Sequence, residues 1–141
     1  MTDREQRLVR YDNELKIEAH QFNGIMQKFP NHFHEYYVIG FVEGGGRHLS
    51  CKNKDYTIGA GDLLLFNPLD NHTCQQIDDK PLDWRSININ ENIMRETAVQ
   101  IGRRHRSHGY RLTDRFFRSK PFHKIFQETN RTYSKTIWRY I

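Results

Sequence analysis

Between residues 15 and 90 the chain never runs far before turn-forming residues interrupt it. Residues 15–22 mix alternation with β-formers. Residues 36–43 (Tyr-Tyr-Val-Ile-Gly-Phe-Val-Glu) are rich in aromatic and β-branched side chains, the composition of a pleated, half-buried strand. Gly44-Gly45-Gly46 then permits a tight reversal with positive φ. Residues 47–51 return, Lys52-Asn53-Lys54-Asp55 turns again, and residues 56–58 lead into Gly59-Ala60-Gly61-Asp62. Residues 63–66, 72–77 and 84–90 complete the set, parted by breaks at 67–71 and 78–81. Segments this short do not sustain a helical face, and about seven or eight of them at this spacing predict an all-β sandwich or barrel.

After Asn90 the period changes. Ile93, Met94, Ala98 and Ile101 recur at helical spacing, with Gly102 placed to cap the C-terminal end. A basic connection covers residues 103–109. Ser119 and Pro121 then mark the start of a second helix, with Phe122, Ile125 and Phe126 on one stripe. Charge shifts at the same seam. Residues 1–90 hold 10 Lys and Arg against 13 Asp and Glu, a net −3, whereas residues 91–141 hold 12 against 4, a net +8. Solvated helix faces account for that excess, because the cations are interleaved with phenylalanines; a phosphate-contacting surface is the alternative. The expected division is a barrel over residues 1–90 and a helical segment over residues 91–141.

Several function classes drop out early. The charged N-terminus, Met1-Thr2-Asp3-Arg4-Glu5-Gln6-Arg7, has no apolar stretch behind it, so no secretory signal is expected. The strongest apolar run, residues 36–42, is of strand length and far short of a membrane span. Cys51 and Cys74 read as free thiols in a reducing cytosol. No phosphate-binding loop, activated serine or paired-carboxylate motif stands out. Cys74 lies two residues from His72 and imitates a Cys–His pair, yet nothing marks it as activated. The expectation is a cytoplasmic chain that is not an enzyme.

The distinctive stretch is His32-Phe33-His34, followed by Gly61-Asp62 and then His72. In a strand, His32 and His34 would project to one side. The spacing resembles the two cupin motifs, Gly-x5-His-x-His-x3-4-Glu-x6-Gly and Gly-x5-Pro-x-Gly-x2-His-x3-Asn. His72 falls eleven residues after Gly61, as the second motif requires; the proline slips by one to Pro68, and Gln76 takes the asparagine position. In the first motif Met26 replaces the leading glycine, and Val38 and Ile39 stand where the glutamate belongs. The barrel signature is kept and the metal signature is damaged.

Residues 29–90 resemble the N-terminal domain of the arabinose-regulator (AraC) family. Three phrases carry the likeness: Phe33-His34-Glu35-Tyr36-Tyr37-Val38-Ile39-Gly40, the run from Tyr56 through Gly61-Asp62 to Asn67-Pro68, and Asn71-His72-Thr73-Cys74. The resemblance implies a mainly β fold, a cupin-type double-stranded β-helix (jelly-roll) barrel followed by two α-helices. It also implies a small effector in the barrel, dimerisation through the helices, and a further module of roughly 100 residues with two helix-turn-helix units that reads promoter DNA. The 51 residues after Asn90 are too few for that module. The apolar ending Ile137-Trp138-Arg139-Tyr140-Ile141 favours a piece of a longer regulator over a stand-alone barrel.

The expected effector site is the barrel interior, with His32, His34 and Tyr36 from one strand, His72, Cys74 and Gln76 from another, and Trp84 as a stacking wall. Ordinary core packing is the competing role for Tyr36 and Trp84. Neither cofactor nor metal is expected; a metal, if bound, would sit on His32, His34 and His72. That alternative is a metal-dependent stand-alone cupin enzyme of dioxygenase or isomerase type. Leu112, Phe116, Phe117, Phe122, Ile125 and Phe126 supply more apolar surface than one barrel covers, so a homodimer is expected there. The other expected partners are a small-molecule effector and, only through the absent module, promoter DNA; no membrane is expected.

Overall fold

The computed structural model describes residues 5–101 and 116–118. In chain order the elements are β1 (Gln6–Asp12), β2 (Ile17–Ile25), β3 (Phe29–His32), β4 (Tyr37–Gly44), β5 (Gly46–Cys51), β6 (Lys54–Gly59), β7 (Asp62–Phe66), β8 (His72–Gln76), β9 (Leu82–Ile89), α1 (Glu91–Ile101) and β10 (Phe116–Arg118). One sheet runs β1-β2-β9-β4-β7-β10 and the other β3-β8-β5-β6. The strand pairings are antiparallel. The fold is the expected cupin jelly roll.

Strand alternation places the core. Ile25, Val38, Val42, Leu64, Phe66 and Leu82 point inward from the six-stranded sheet, and Leu49, Cys51, Ile58 and Cys74 meet them from the four-stranded one. Ser86 and Asn88 share the inward face of β9 with Leu82, so two polar side chains are buried in the same layer. Arg47 is also fully buried, at 0% exposure. Its guanidinium donates to the carbonyls of Gly46 (2.7 Å), Lys80 (3.2 Å) and Ile25 (2.5 Å), which closes one end of the barrel with hydrogen bonds.

The turns follow residue chemistry. Gly45 sits at φ +77°, and a Cβ there would lie 2.1 Å from the Pro81 carbonyl oxygen, so neither its conformation nor its space admits a side chain. Lys52 and Asn53 occupy φ 48° and 60° in the β5–β6 hairpin, the positive-φ pair of a type I′ turn. Asn90 caps α1, its Oδ1 accepting from the Asn92 N–H at 2.8 Å, with Glu91 in the first turn.

Some expectations shift. Leu15 lies in a turn, and β2 begins at Ile17 and continues to Ile25 past a register shift after Phe22. Tyr36 precedes β4. β1 and β3 were not anticipated, since Gln6–Asp12 is dense in charge and Phe29–His32 contains a proline. His32 ends β3, whereas His34 lies in the loop at 33–36, so the two are not on one strand. The first expected helix is α1, with Ile93, Met94 and Ala98 on its less exposed face. Within the segment expected to be helical, Phe116–Arg118 forms a strand, pairing with β7 so that Phe116 opposes Leu64 and Phe117 opposes Leu63. Gly102 and the second helix from Ser119 lie outside the described residues. Among the described residues no helix is long and apolar enough to cross a membrane.

Candidate functional site

Between the two sheets lies a half-open cavity of about 280 Å³. Most of its wall is apolar: Phe22, Phe29, Val38, Leu49, Ile58, Leu64, Phe66, Leu82 and Trp84 line it. Its polar groups are His20, His32, His34, Tyr36, His72, Ser86 and Asn88, together with the Cys74 thiol. Among the described residues no lysine, arginine or carboxylate lines it.

Six of the seven residues expected in the interior are there: His32, His34, Tyr36, His72, Cys74 and Trp84. Gln76 is not. β8 emerges from the barrel beyond Cys74, and the exposed Gln76 amide lies 3.8 Å from the Met26 sulfur. The residues that sequence reasoning missed are chiefly His20, Ser86 and Asn88. The alternation Glu18-x-His20-x-Phe22 on β2 and Trp84-x-Ser86-x-Asn88 on β9 is the signal that could have found them. Of the residues expected to dimerise, Leu112, Phe122, Ile125 and Phe126 lie outside the described residues, and Phe116 and Phe117 belong to β10.

A loop, rather than strand alternation, brings the histidines together. β3 delivers His32, the loop after it delivers His34, and β8 delivers His72 from across the β3–β8 pair, where His32 opposes His72. Ring centroids stand 4.3 Å apart for His32 and His72, 4.9 Å for His32 and His34, and 5.2 Å for His34 and His72. Phe66 stacks on His72 at 4.2 Å, and Tyr36 stacks on His34 at 5.0 Å.

Hydrogen bonding orients two of these rings. His32 Nδ1 lies 2.6 Å from the Pro30 carbonyl oxygen and His72 Nδ1 lies 2.8 Å from that of Asp70. A carbonyl only accepts, so in both rings Nδ1 carries the proton and the neutral ring keeps its lone pair at Nε2. Burial, then the charges of His72, His32 and His20, push His34 down to about 4. Burial also lowers His72, against the opposing pull of the Asp70 carbonyl. Around neutral pH His34 and His72 are therefore uncharged acceptors. Burial pushes the Cys74 thiol up to about 11, only partly offset by Arg47, so this sulfur is no nucleophile.

A second polar group stands at the rim. His20 Nε2 donates to Glu18 Oε1 at 2.6 Å, and Asn88 Nδ2 donates to the same oxygen at 3.2 Å. The His20 bond is the main reason the Glu18 carboxyl titrates below its ordinary range. Burial and the nearby Glu18 charge raise the Tyr36 phenol, which stays protonated as a donor.

Among the described residues one set could hold a metal. The ligand atoms of His32, His34 and His72 lie within 4.8 Å of one another, and the Nδ1 bonds of two rings leave Nε2 available, as metal-bound imidazoles require. Among the described residues no carboxylate joins this group, and Val38 lines the cavity instead.

The family model for the AraC-like ligand binding domain matches residues 14–132. The chain belongs to that family. The uncharacterized HTH-type transcriptional regulator YbfI of Bacillus subtilis (strain 168) is 56% identical over 97 residues, which are 69% of this chain and 35% of YbfI. The domain thus spans well under half of that relative. In architecture it is similar to a Cupin 2 conserved barrel domain protein from Salinispora arenicola CNS-205, with a TM-score of 0.53 and 18% identity, covering 69% of this chain and 83% of that one. An RmlC-like cupin family protein with a double-stranded β-helix fold from Methanocaldococcus jannaschii is similar at a TM-score of 0.52 and 14% identity, covering 70% and 92%. At those identities the likeness concerns the fold alone.

Proposed function

We propose that this chain is the small-molecule-sensing part of a bacterial transcription regulator and carries out no reaction of its own. The cavity carries this reading: it is concave, mainly apolar, and furnished with a few convergent polar groups, which is how a pocket orients a ligand. At about 280 Å³ it suits a molecule smaller than a typical drug. Promoter DNA is reached through a helix-turn-helix module beyond this sequence, as the name of the Bacillus relative suggests for that protein. Self-association through Leu112, Phe116, Phe117, Phe122, Ile125 and Phe126, and residence in the cytoplasm, complete the proposal. Light scattering decides the dimer, which predicts twice the 17.0 kDa chain mass.

A ligand that binds only the folded state stabilises it, by about 2.7 kcal/mol at a hundredfold excess over its Kd. A thermal-shift screen of a metabolite library against the 141-residue chain tests the reading. One chemical class should raise Tm, and His72→Ala or Trp84→Ala should abolish the rise. A library without a single stabilising compound counts against it.

The histidine triad favours one second reading, a metal-dependent cupin enzyme. A metal held by His32, His34 and His72 would supply Lewis acidity in the cavity. Metal analysis of protein purified without a histidine tag separates the readings. Stoichiometric metal that disappears in His32→Ala and His34→Ala variants would replace the sensor with the enzyme.

A further inference from the structure

Behind the histidines, between β7 and β8, the chain makes a tight turn at residues 67–70. The Asp70 N–H donates to the Asn67 carbonyl at 3.1 Å, and the Asp70 side chain, 1% exposed, folds back into the turn. Asp70 Oδ2 accepts from the Asn67 main-chain N–H at 3.2 Å and from its Nδ2 at 3.3 Å. Oδ1 is ion-paired with the Lys52 ammonium of the neighbouring hairpin. The Lys52 N–H also reaches the Asn71 carbonyl, at 3.3 Å, so main chain and side chain tie this hairpin to the turn. Leu69 is held at φ +64°, a conformation unfavourable for leucine, with its side chain 62% exposed. Nothing in the Leu69 side chain's own packing favours that conformation, so the surrounding hydrogen bonds must impose it.

This turn holds two of the cavity's histidines through main-chain groups. The Leu69 N–H donates to the His34 carbonyl at 2.8 Å, and the Asp70 carbonyl accepts the His72 Nδ1–H at 2.8 Å. Two of the three histidines are thus anchored by one four-residue device, and neither anchor comes from a residue that lines the cavity. His32 is anchored independently, through the Pro30 carbonyl.

We propose that Asp70 is a positioning residue of the ligand site: its buried carboxylate holds the turn in the shape that keeps His72 in the Nδ1–H form and anchors the His34 backbone, so that the cavity is offered imidazole acceptors. Asp70 acts through the turn and touches no ligand. The consequence for recognition is chemical. Neutral imidazoles with Nδ1 already bonded accept at Nε2, so they favour a ligand edge carrying O–H or N–H donors over a carboxylate or phosphate edge, which would meet lone pairs with lone pairs. This inference rests on the cavity being the ligand site, as proposed above, but its test needs no ligand and therefore fails separately.

The test is the long-range proton–nitrogen spectrum of the imidazoles in the ¹⁵N-labelled 141-residue chain, near neutral pH with a chelator present. Single histidine substitutions assign the signals. In the wild-type chain His32 and His72 should both show a protonated Nδ1 and a bare Nε2. Asp70→Ala should return His72 toward the Nε2–H form that free histidine side chains prefer, while His32 keeps its pattern. Should Asp70→Ala not fold, Asp70→Asn keeps the size, loses the ion pair with Lys52, and should move His72 the same way by less. A His72 pattern unchanged in a folded Asp70 variant overturns the proposal. So does an equal change at His32, because that would report general loosening rather than release of one turn.

Discussion

Gly40→Ala is the sharpest probe of how this cavity is built, because the sign of its effect is decisive. Gly40 sits in the middle of β4, paired with Ser86 on one side and Leu64 on the other, so its backbone is fixed from both flanks. Its φ is unremarkable for any residue; what it supplies is space. A Cβ at this position would lie 1.9 Å from Trp84 Cη2, 2.0 Å from Cζ2 and 2.9 Å from Cζ3. Carbon atoms in contact prefer about 3.5–4.0 Å, so the indole must move by roughly 1.6–2 Å, and the cavity lies on its other side. Forcing a methyl into a packed layer costs about 1–3 kcal/mol. Without the clash, alanine should gain about 0.5–1 kcal/mol over a glycine in a strand interior. Destabilisation in urea therefore supports the packing described, and stabilisation refutes it. Trp138→Phe in both chains leaves Trp84 as the sole tryptophan, so its emission should shift with the displacement. Adding Trp84→Leu should recover stability non-additively, by more than about 0.5 kcal/mol, since residues in contact couple. Additive losses would mean that the two side chains do not meet.

Arg47→Met should destabilise the chain by at least about 2 kcal/mol in urea titration, because it strands the two buried carbonyls of Gly46 and Ile25 at about 1–3 kcal/mol each; a loss below about 1 kcal/mol would remove Arg47 as the closure of the barrel. The histidines set a pH dependence. Unfolded His34 takes up its proton near 6.5 and folded His34 only near 4, so the unfolded chain binds more protons within that window. Stability is complete above 6.5 and declines as pH falls toward 4; Tm in chelator-containing buffers should follow this, and His34→Gln should flatten the slope.

Much of the barrel was legible because β periodicity is local. Residues 47–51, 63–66 and 72–77 declare themselves by β-formers between turn residues, and the structure places β5, β7 and β8 there within a residue or two. The helix was equally plain, since the apolar stripe of Ile93, Met94 and Ala98 at helical spacing is a signal carried by neighbouring residues. β1 and β3 were illegible for a shared reason. Gln6–Asp12 is held by pairing to β2 rather than by burial, and Phe29–His32 by pairing to β8, so neither bears the alternation that burial imposes. The histidines that matter were named, but their companions were not. His20, Ser86 and Asn88 enter the cavity because β2 and β9 are neighbours in the sheet, a fact of topology that no local pattern contains.

The sequence by itself determined the class of fold, the turns that pace it, and three histidines as the chemically loaded residues, because strand period, positive-φ chemistry and side-chain type are properties of neighbouring residues. Tertiary structure alone decided what those histidines are. Pairing of β3 with β8 sets His32 against His72, and the loop after β3 swings His34 beside them. Burial then strips the charge of His34 and His72, and the turn that orients the His72 ring through the Asp70 carbonyl also holds the His34 carbonyl through the Leu69 N–H, thirty-five residues beyond it. The protonation of His34 and His72 depends on burial and on neighbouring charges, which exist only once distant segments meet.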